Sequence, residues 1–172
     1  MRLKRLIAAV CFVLLAVALT AAEPDPFAGS SGAPGRWGLG ISAISPGLPV
    51  ALKGVWRNGP WGAQIEANWF YQWAMVRLDA RRRIVLKGRM ETYAVAGITF
   101  NHFNDGLGST SSVNDTFWVD LAAGLQFNLG RNQRFSLGAE GGLLIPFYSN
   151  LGLEQYQNSG FMVANVFMLW WL

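Results

Sequence analysis

The chain has 172 residues, of which 52% are apolar and only 14% charged, with eight Trp and twenty Gly. That length and apolar content suffice for one domain with a buried core and exclude a disordered chain. The formal net charge is +4, but Arg2, Lys4 and Arg5 account for three of the fourteen basic residues and leave eleven basic against ten acidic groups beyond residue 22, a balance that excludes a nucleic-acid binder.

Residues 1–22, MRLKRLIAAVCFVLLAVALTAA, combine a basic start, an apolar run from Leu6 to Leu19 and small residues at Thr20 to Ala22. This is the pattern of a cleaved secretory signal peptide, since an apolar run of about 14 residues is short of the ~20 a spanning helix needs. Cys11 is the one cysteine and lies inside this segment, so disulfides and a thiol nucleophile are not expected in the mature chain. Residues 23–35, EPDPFAGSSGAPG, are rich in Pro, Gly and Ser and read as a flexible lead that buries too little apolar surface to order itself.

From residue 36 onward the dominant signal has period two, which sends alternate side chains to opposite faces of a strand. Segments 36–45 and 48–57 are followed by 61–73, where Trp61, Ala63, Ile65, Ala67, Trp69, Tyr71 and Trp73 share one face and Gly62, Gln64, Glu66, Asn68 and Gln72 the other. After the long tract from Met75 to Phe100, the pattern returns as Phe117, Val119, Leu121, Ala123, Leu125, Phe127 and Leu129, opposed by Thr116, Asp120, Gly124, Gln126 and Asn128. Phe135, Leu137, Ala139, Leu143, Ile145 and Phe147 repeat it against Ser136, Gly138, Glu140 and Gly142, and 160–172 is a last apolar segment. Turn residues separate the segments at Ser45-Pro46-Gly47, Asn58-Gly59-Pro60 and Gly130 to Gln133.

A soluble barrel would need more exterior charge than these residues supply. Polar and small residues inside, an apolar band outside and aromatics at both rims are the pattern of a transmembrane β-barrel. On this alternation and size the chain resembles the small bacterial outer-membrane barrels of the OmpA, OmpX, OmpW and PagL types. The resemblance implies an all-β, antiparallel up-and-down transmembrane β-barrel over residues 36–172, in the outer membrane of a Gram-negative cell envelope. Val166, Met168, Trp170 and Leu172 form a stripe that looks like the terminal-strand signal read by the outer-membrane assembly machinery, although family members usually end on Phe or Trp.

In such barrels the strand number is even, the termini and short turns are periplasmic, and the longer loops are external. Loops 101–115 and 148–158 are then external, and turns 58–60 and 130–133 periplasmic. Both counts agree when residues 61–100 hold three strands, which gives eight; the rival is two long strands with a turn at Asp79 to Arg82. A strand from Met75 to Leu86 would set Arg82 toward lipid at a cost of roughly 2–4 kcal/mol at mid-membrane.

Eight strands enclose an interior that side chains can fill, which excludes a wide porin-like channel. Lys53, Glu66, Arg77, Lys87, Arg89, Glu91, Asp120 and Glu140 are the expected lumen set, able to close into ion pairs and so avoid unpaired buried charge. Trp37, Trp61, Trp73, Phe117, Phe135, Phe147 and Trp170 are the expected interface aromatics. The outer-membrane lipid, lipopolysaccharide and the assembly machinery are the expected partners, with no nucleic acid.

PagL-type lipid A deacylases, which the chain resembles in length and topology, use a His-x-Ser pair with a nearby Glu. Here the single histidine heads His102-Phe103-Asn104 at the start of an expected loop, so the serine is missing and no catalytic residue, metal site or cofactor is expected. A lipocalin-like secreted binder is the other alternative, on Gly35-Arg36-Trp37, which looks like a Gly-x-Trp start. It would require an apolar cavity and a charged exterior. The sequence therefore predicts a non-enzymatic barrel with a structural or surface-interaction role.

Overall fold

A computed structural model describes residues 35–45, 48–70, 72–104, 113–130, 132–151 and 161–172. The expected signal segment 1–22, most of the lead 23–35 and most of the two long loops lie outside the described residues.

Eight strands follow one another: β1 (Arg36–Ser45), β2 (Leu48–Asn58), β3 (Trp61–Phe70), β4 (Trp73–Lys87), β5 (Met90–Asn104), β6 (Val113–Leu129), β7 (Phe135–Ser149) and β8 (Phe161–Trp171). Each pairs antiparallel with its neighbour in sequence, and β8 returns to β1 from Gly38↔Trp171 to Ser45↔Ala164, closing an up-and-down barrel. Closure leaves the sheet without a first or last strand, which removes the unpaired edges an open sheet exposes.

One end carries the start of β1, the end of β8 and the three connections 59–60, 88–89 and 130–134; the other carries two-residue connections at 46–47 and 71–72 and the two long ones at 105–112 and 150–160. At the turn end, Gly59-Pro60 and Gly88-Arg89 each join paired strands through two residues, and the first of each pair has φ near +60°. That is the type II′ arrangement, whose twist matches the flanking strands and which suits glycine at its first central position.

Residues 61–104 hold three strands, as the eight-strand count requires, and the alternative turn at Asp79 to Arg82 does not form. Those residues pair with Trp61 to Gln64 inside the β3–β4 ladder. The connection falls instead between Phe70 and Trp73, within the stretch 63–87 that holds no Gly or Pro and therefore reads as unbroken. The loop-end ladders also run further than expected: β5 and β6 stay paired to Asn104↔Val113, and Thr116 pairs with Ser149. His102 is therefore a strand residue and not a loop residue.

The two faces sort by polarity. Leu52, Trp69 and Met162 face outward at 71%, 86% and 81% exposure, as do Leu39, Ile65, Leu78, Leu137 and Val166. Gln64, Glu66 and Asn68 alternate with outward Ile65 and are buried. Inside, an apolar cluster of Val55, Tyr93, Val95, Phe167, Leu169 and Trp171 fills the turn half. Ala51, Met75 and Val163, with Trp73 and Leu144 against them, form a second cluster toward the loop end.

Candidate functional site

Between and around these clusters the interior holds a charged network. Lys53 Nζ donates to Glu66 Oε1 (2.6 Å) and Glu140 Oε1 (2.7 Å) and lies 4.3 Å from the centre of the Phe167 ring. Arg77 is the second hub. Its Nη1 donates to Glu140 Oε2 at 2.9 Å and Glu66 Oε2 at 3.2 Å, while Nε pairs with Asp79 Oδ2 at 2.9 Å and with Asp120. Gln64 Nε2 donates to Asp79 Oδ2 (3.0 Å), and Asn165 Nδ2 to Glu66 Oε1 (2.7 Å).

A second group lies toward the turn end. Arg81 Nη2 donates to Glu91 Oε1 (2.7 Å) and Gln126 Oε1 (2.9 Å), and Arg57 pairs with the other Glu91 oxygen. Gln126 Nε2 donates to Asn128 Oδ1, and Trp171 Nε1 to Ser136 Oγ, each at 2.7 Å. Tyr93 joins the two groups: its hydroxyl donates to Glu140 Oε1 at 2.9 Å, and the Arg81 guanidinium stacks 3.4 Å from the centre of its ring. Four cations (Lys53, Arg57, Arg77, Arg81) thus meet five carboxylates (Glu66, Asp79, Glu91, Asp120, Glu140). Ions taken out of water need partners of this kind, and shared multi-dentate pairs offset part of the desolvation cost.

Of the expected lumen residues, Lys53, Glu66, Arg77, Glu91, Asp120 and Glu140 come together here. Lys87 and Arg89 do not: both are exposed at the turn end. The cause is a β-bulge between Arg83 and Val85, which inserts Ile84 and inverts the alternation. Val85 then faces outward, Leu86 shares the inner face with Glu91, and Lys87 pairs with Met90 at the hairpin tip. Arg89 belongs to the turn itself. Asp79 and Arg81, which share the parity of Arg77, are lumen residues the expected set omits, as are Gln64, Tyr93 and Asn165.

Trp37, Trp61, Phe135 and Trp170 stand on the outer face at the turn end. Phe117 and Phe147 stand on it at the loop end, clustered with Phe100 and Tyr148 at ring-centre distances of 4.9 to 6.1 Å. Trp73 departs from the expected girdle. As the first residue of β4 it shares the inner parity of Met75 and packs against the loop-end cluster, because the β3–β4 turn breaks the alternation that placed it outward. Trp56 pairs with Trp37 and extends the outer aromatic row at the turn end.

His102 Nδ1 lies 2.7 Å from Asp115 Oδ1 across the β5–β6 ladder, and both side chains are more than a third exposed. Asp115 also exchanges bonds with Asn150, receiving its backbone N–H and donating its own to Oδ1. The arrangement ties β5 and β6 to the residue that follows β7.

No protein-family model and no curated protein matches the sequence. Solved structures do match. The N-terminal β-barrel domain of Pseudomonas aeruginosa OprF aligns with a TM-score of 0.58 at 10% identity, covering 80% of this chain and 96% of that one. This chain has the fold of a small outer-membrane β-barrel. The same barrel fold appears in the de novo designed TMB2.3 (TM-score 0.51, 14% identity, covering 81% of this chain and 95% of that one). It also appears in Ail of Yersinia pestis, solved with a heparin analogue (TM-score 0.50, 13% identity, 80% and 97% covered). At such identities the outer-membrane barrel fold is shared through alternation and closure and carries no residue-level activity across.

Proposed function

We propose that the chain is a non-enzymatic integral protein of a bacterial outer membrane, a side-chain-filled barrel with a structural or surface-interaction role. Residues 1–22 would direct export, and the C-terminal stripe would be read by the assembly machinery. The turn end then faces the periplasm and the loop end faces outside among lipopolysaccharide, where loops serve recognition. The observation that carries this reading is the inversion of polarity. The interior closes on a connected network of nine charged groups, while the outer face carries an apolar band from β1 to β8, with Arg82 beside Trp61 near the turn end. A soluble lipocalin-like barrel would reverse both faces. The small interior of eight strands leaves the network as filling and not as the wall of a wide channel.

The test is an unboiled against boiled gel of carbonate-washed membranes, followed by planar-bilayer recording. A membrane-retained band that shifts on heating, with no porin-sized conductance step, is the expected result. A carbonate-soluble band without a shift overturns the membrane reading, and a large steady conductance overturns the filled lumen.

A further inference from the structure

The charges outside the buried network are distributed unequally between the two ends, with Arg36 and Arg83 at inward-facing register positions near the rim. Arg36 opens β1, Arg82, Arg83 and Lys87 occupy the last third of β4, Arg89 forms the following turn, and Arg134 precedes β7. All six stand at the turn end, where the one acidic side chain among the described residues, Glu91, is buried between Arg57 and Arg81. The loop end, including all its connections, contains no Lys or Arg in the sequence at all.

The same end carries the outward Trp37, Trp56, Trp61 and Trp170, residues whose apolar body and polar tip favour the boundary between hydrocarbon and headgroups. Arg82 pairs in register with Trp61 on the outer face, and its guanidinium lies 5.2 Å from the centre of that ring. The last bond between β4 and the β2–β3 turn runs from Arg83 N to Pro60 O (2.8 Å). Beyond it the β4–β5 hairpin projects past its neighbour on that side, bearing exposed Ile84 and Val85 among Arg83, Lys87 and Arg89. Cations level with and just beyond a tryptophan row stand where phospholipid phosphates lie.

We propose that this collar binds the headgroups of anionic phospholipids in the periplasmic leaflet. The inference rests on the membrane reading above. The tryptophan row decides for lipid over an acidic polymer in the periplasm, because it fixes the collar at the bilayer boundary and sets Arg82 on the lipid-facing side. Each basic side chain near an anionic surface adds to the attraction, which falls within a Debye length and is weakened by salt.

The test uses the full chain in phosphatidylcholine vesicles holding traces of spin-labelled phosphatidylglycerol or spin-labelled phosphatidylcholine. Their motionally restricted fractions give relative association at the barrel surface. A preference for phosphatidylglycerol of about fivefold is expected, falling toward one in about 1 M NaCl. It should fall likewise in K87Q/R89Q/R134Q, whose exposed positions leave the lumen intact, and further when Arg82→Gln is added; the heat-dependent gel shift verifies folding. Equal association of both labels with the wild-type chain overturns the proposal, as does a preference that the substitutions leave unchanged. Sedimentation with purified peptidoglycan in the absence of lipid preference overturns it in favour of an acidic polymer. Aggregation of the variant without a wild-type preference overturns it in favour of mere protection of the projecting edge. A chain that restricts neither label has not entered the bilayer, and then the membrane reading itself fails.

Discussion

Lys53 shows how much one side chain holds in this interior. Its single nitrogen bridges Glu66 and Glu140 at shorter distances than Arg77 does, and all three groups are buried. Replacing it with Met keeps the volume but leaves three cations against five carboxylates. Two of those carboxylates lose a partner at less than 3 Å. Breaking a buried pair from one side costs about 3–5 kcal/mol, because the remaining charge stays out of water. Lys53→Met should therefore lower the unfolding free energy of the vesicle-reconstituted chain, read from its urea titration, by that amount. Lys87→Met at the exposed hairpin tip should stay within about 0.5 kcal/mol. The alternation at 53, 66 and 77 makes these three legible as inward residues from sequence. The same parity extended from Arg77 reaches Asp79 and Arg81, but Asp79 to Arg82 also reads as a turn, so residue type alone leaves these two ambiguous.

At the scale of strands, the interior is assembled by pairing large inward side chains with inward glycines. Tyr93 on β5 is registered opposite Gly124 on β6, and Phe167 on β8 opposite Gly138 on β7. A Cβ at Gly124 would overlap the Tyr93 ring, which cannot give way because Arg81 stacks on it and Glu140 holds its hydroxyl. Gly124→Val should cost about 1–3 kcal/mol or more through overpacking, read as a lower unfolding midpoint. At outward Gly141, where an added Cβ meets nothing, Gly141→Ala should be neutral or slightly stabilising. Such pairs explain why inward Tyr93, Phe167 and Trp171 escape a reading by polarity: an apolar residue on the inner face is visible only once the register shows what stands opposite. The bulge at Ile84 escapes for a related reason. Within Arg81-Arg82-Arg83-Ile84-Val85-Leu86 nothing in residue type marks the inserted position, and the parity of Lys87 depends on it. The two-residue turns at Gly59-Pro60 and Gly88-Arg89 differ in the same respect, since only the first carries the Gly-Pro signal that announces it.

The whole molecule depends on the seam between its first and last strands, which brings together residues more than a hundred positions apart. Until β8 docks on β1, both strands present open edges, so closure is the long-range step that defines the barrel. The register across it is specific: outward Ile41 stands opposite Met168, and Val166 stands opposite Ala43. Residues directly opposite in an antiparallel pair place their Cα atoms about 4.5–5.5 Å apart, a range a disulfide can bridge, whereas a diagonal pair is roughly 7–8 Å apart. An Ile41→Cys, Met168→Cys chain lacking residues 1–22, and so lacking Cys11, should oxidise readily. Ile41→Cys with Val166→Cys should not. Because the link closes a loop of well over a hundred residues, it should raise the unfolding free energy by about 4 kcal/mol relative to the reduced chain. A seam slipped by two residues would reverse which pair forms. Since a two-residue slip preserves the inner and outer faces of β8, alternation alone leaves it open, and the crosslink reads the closure directly.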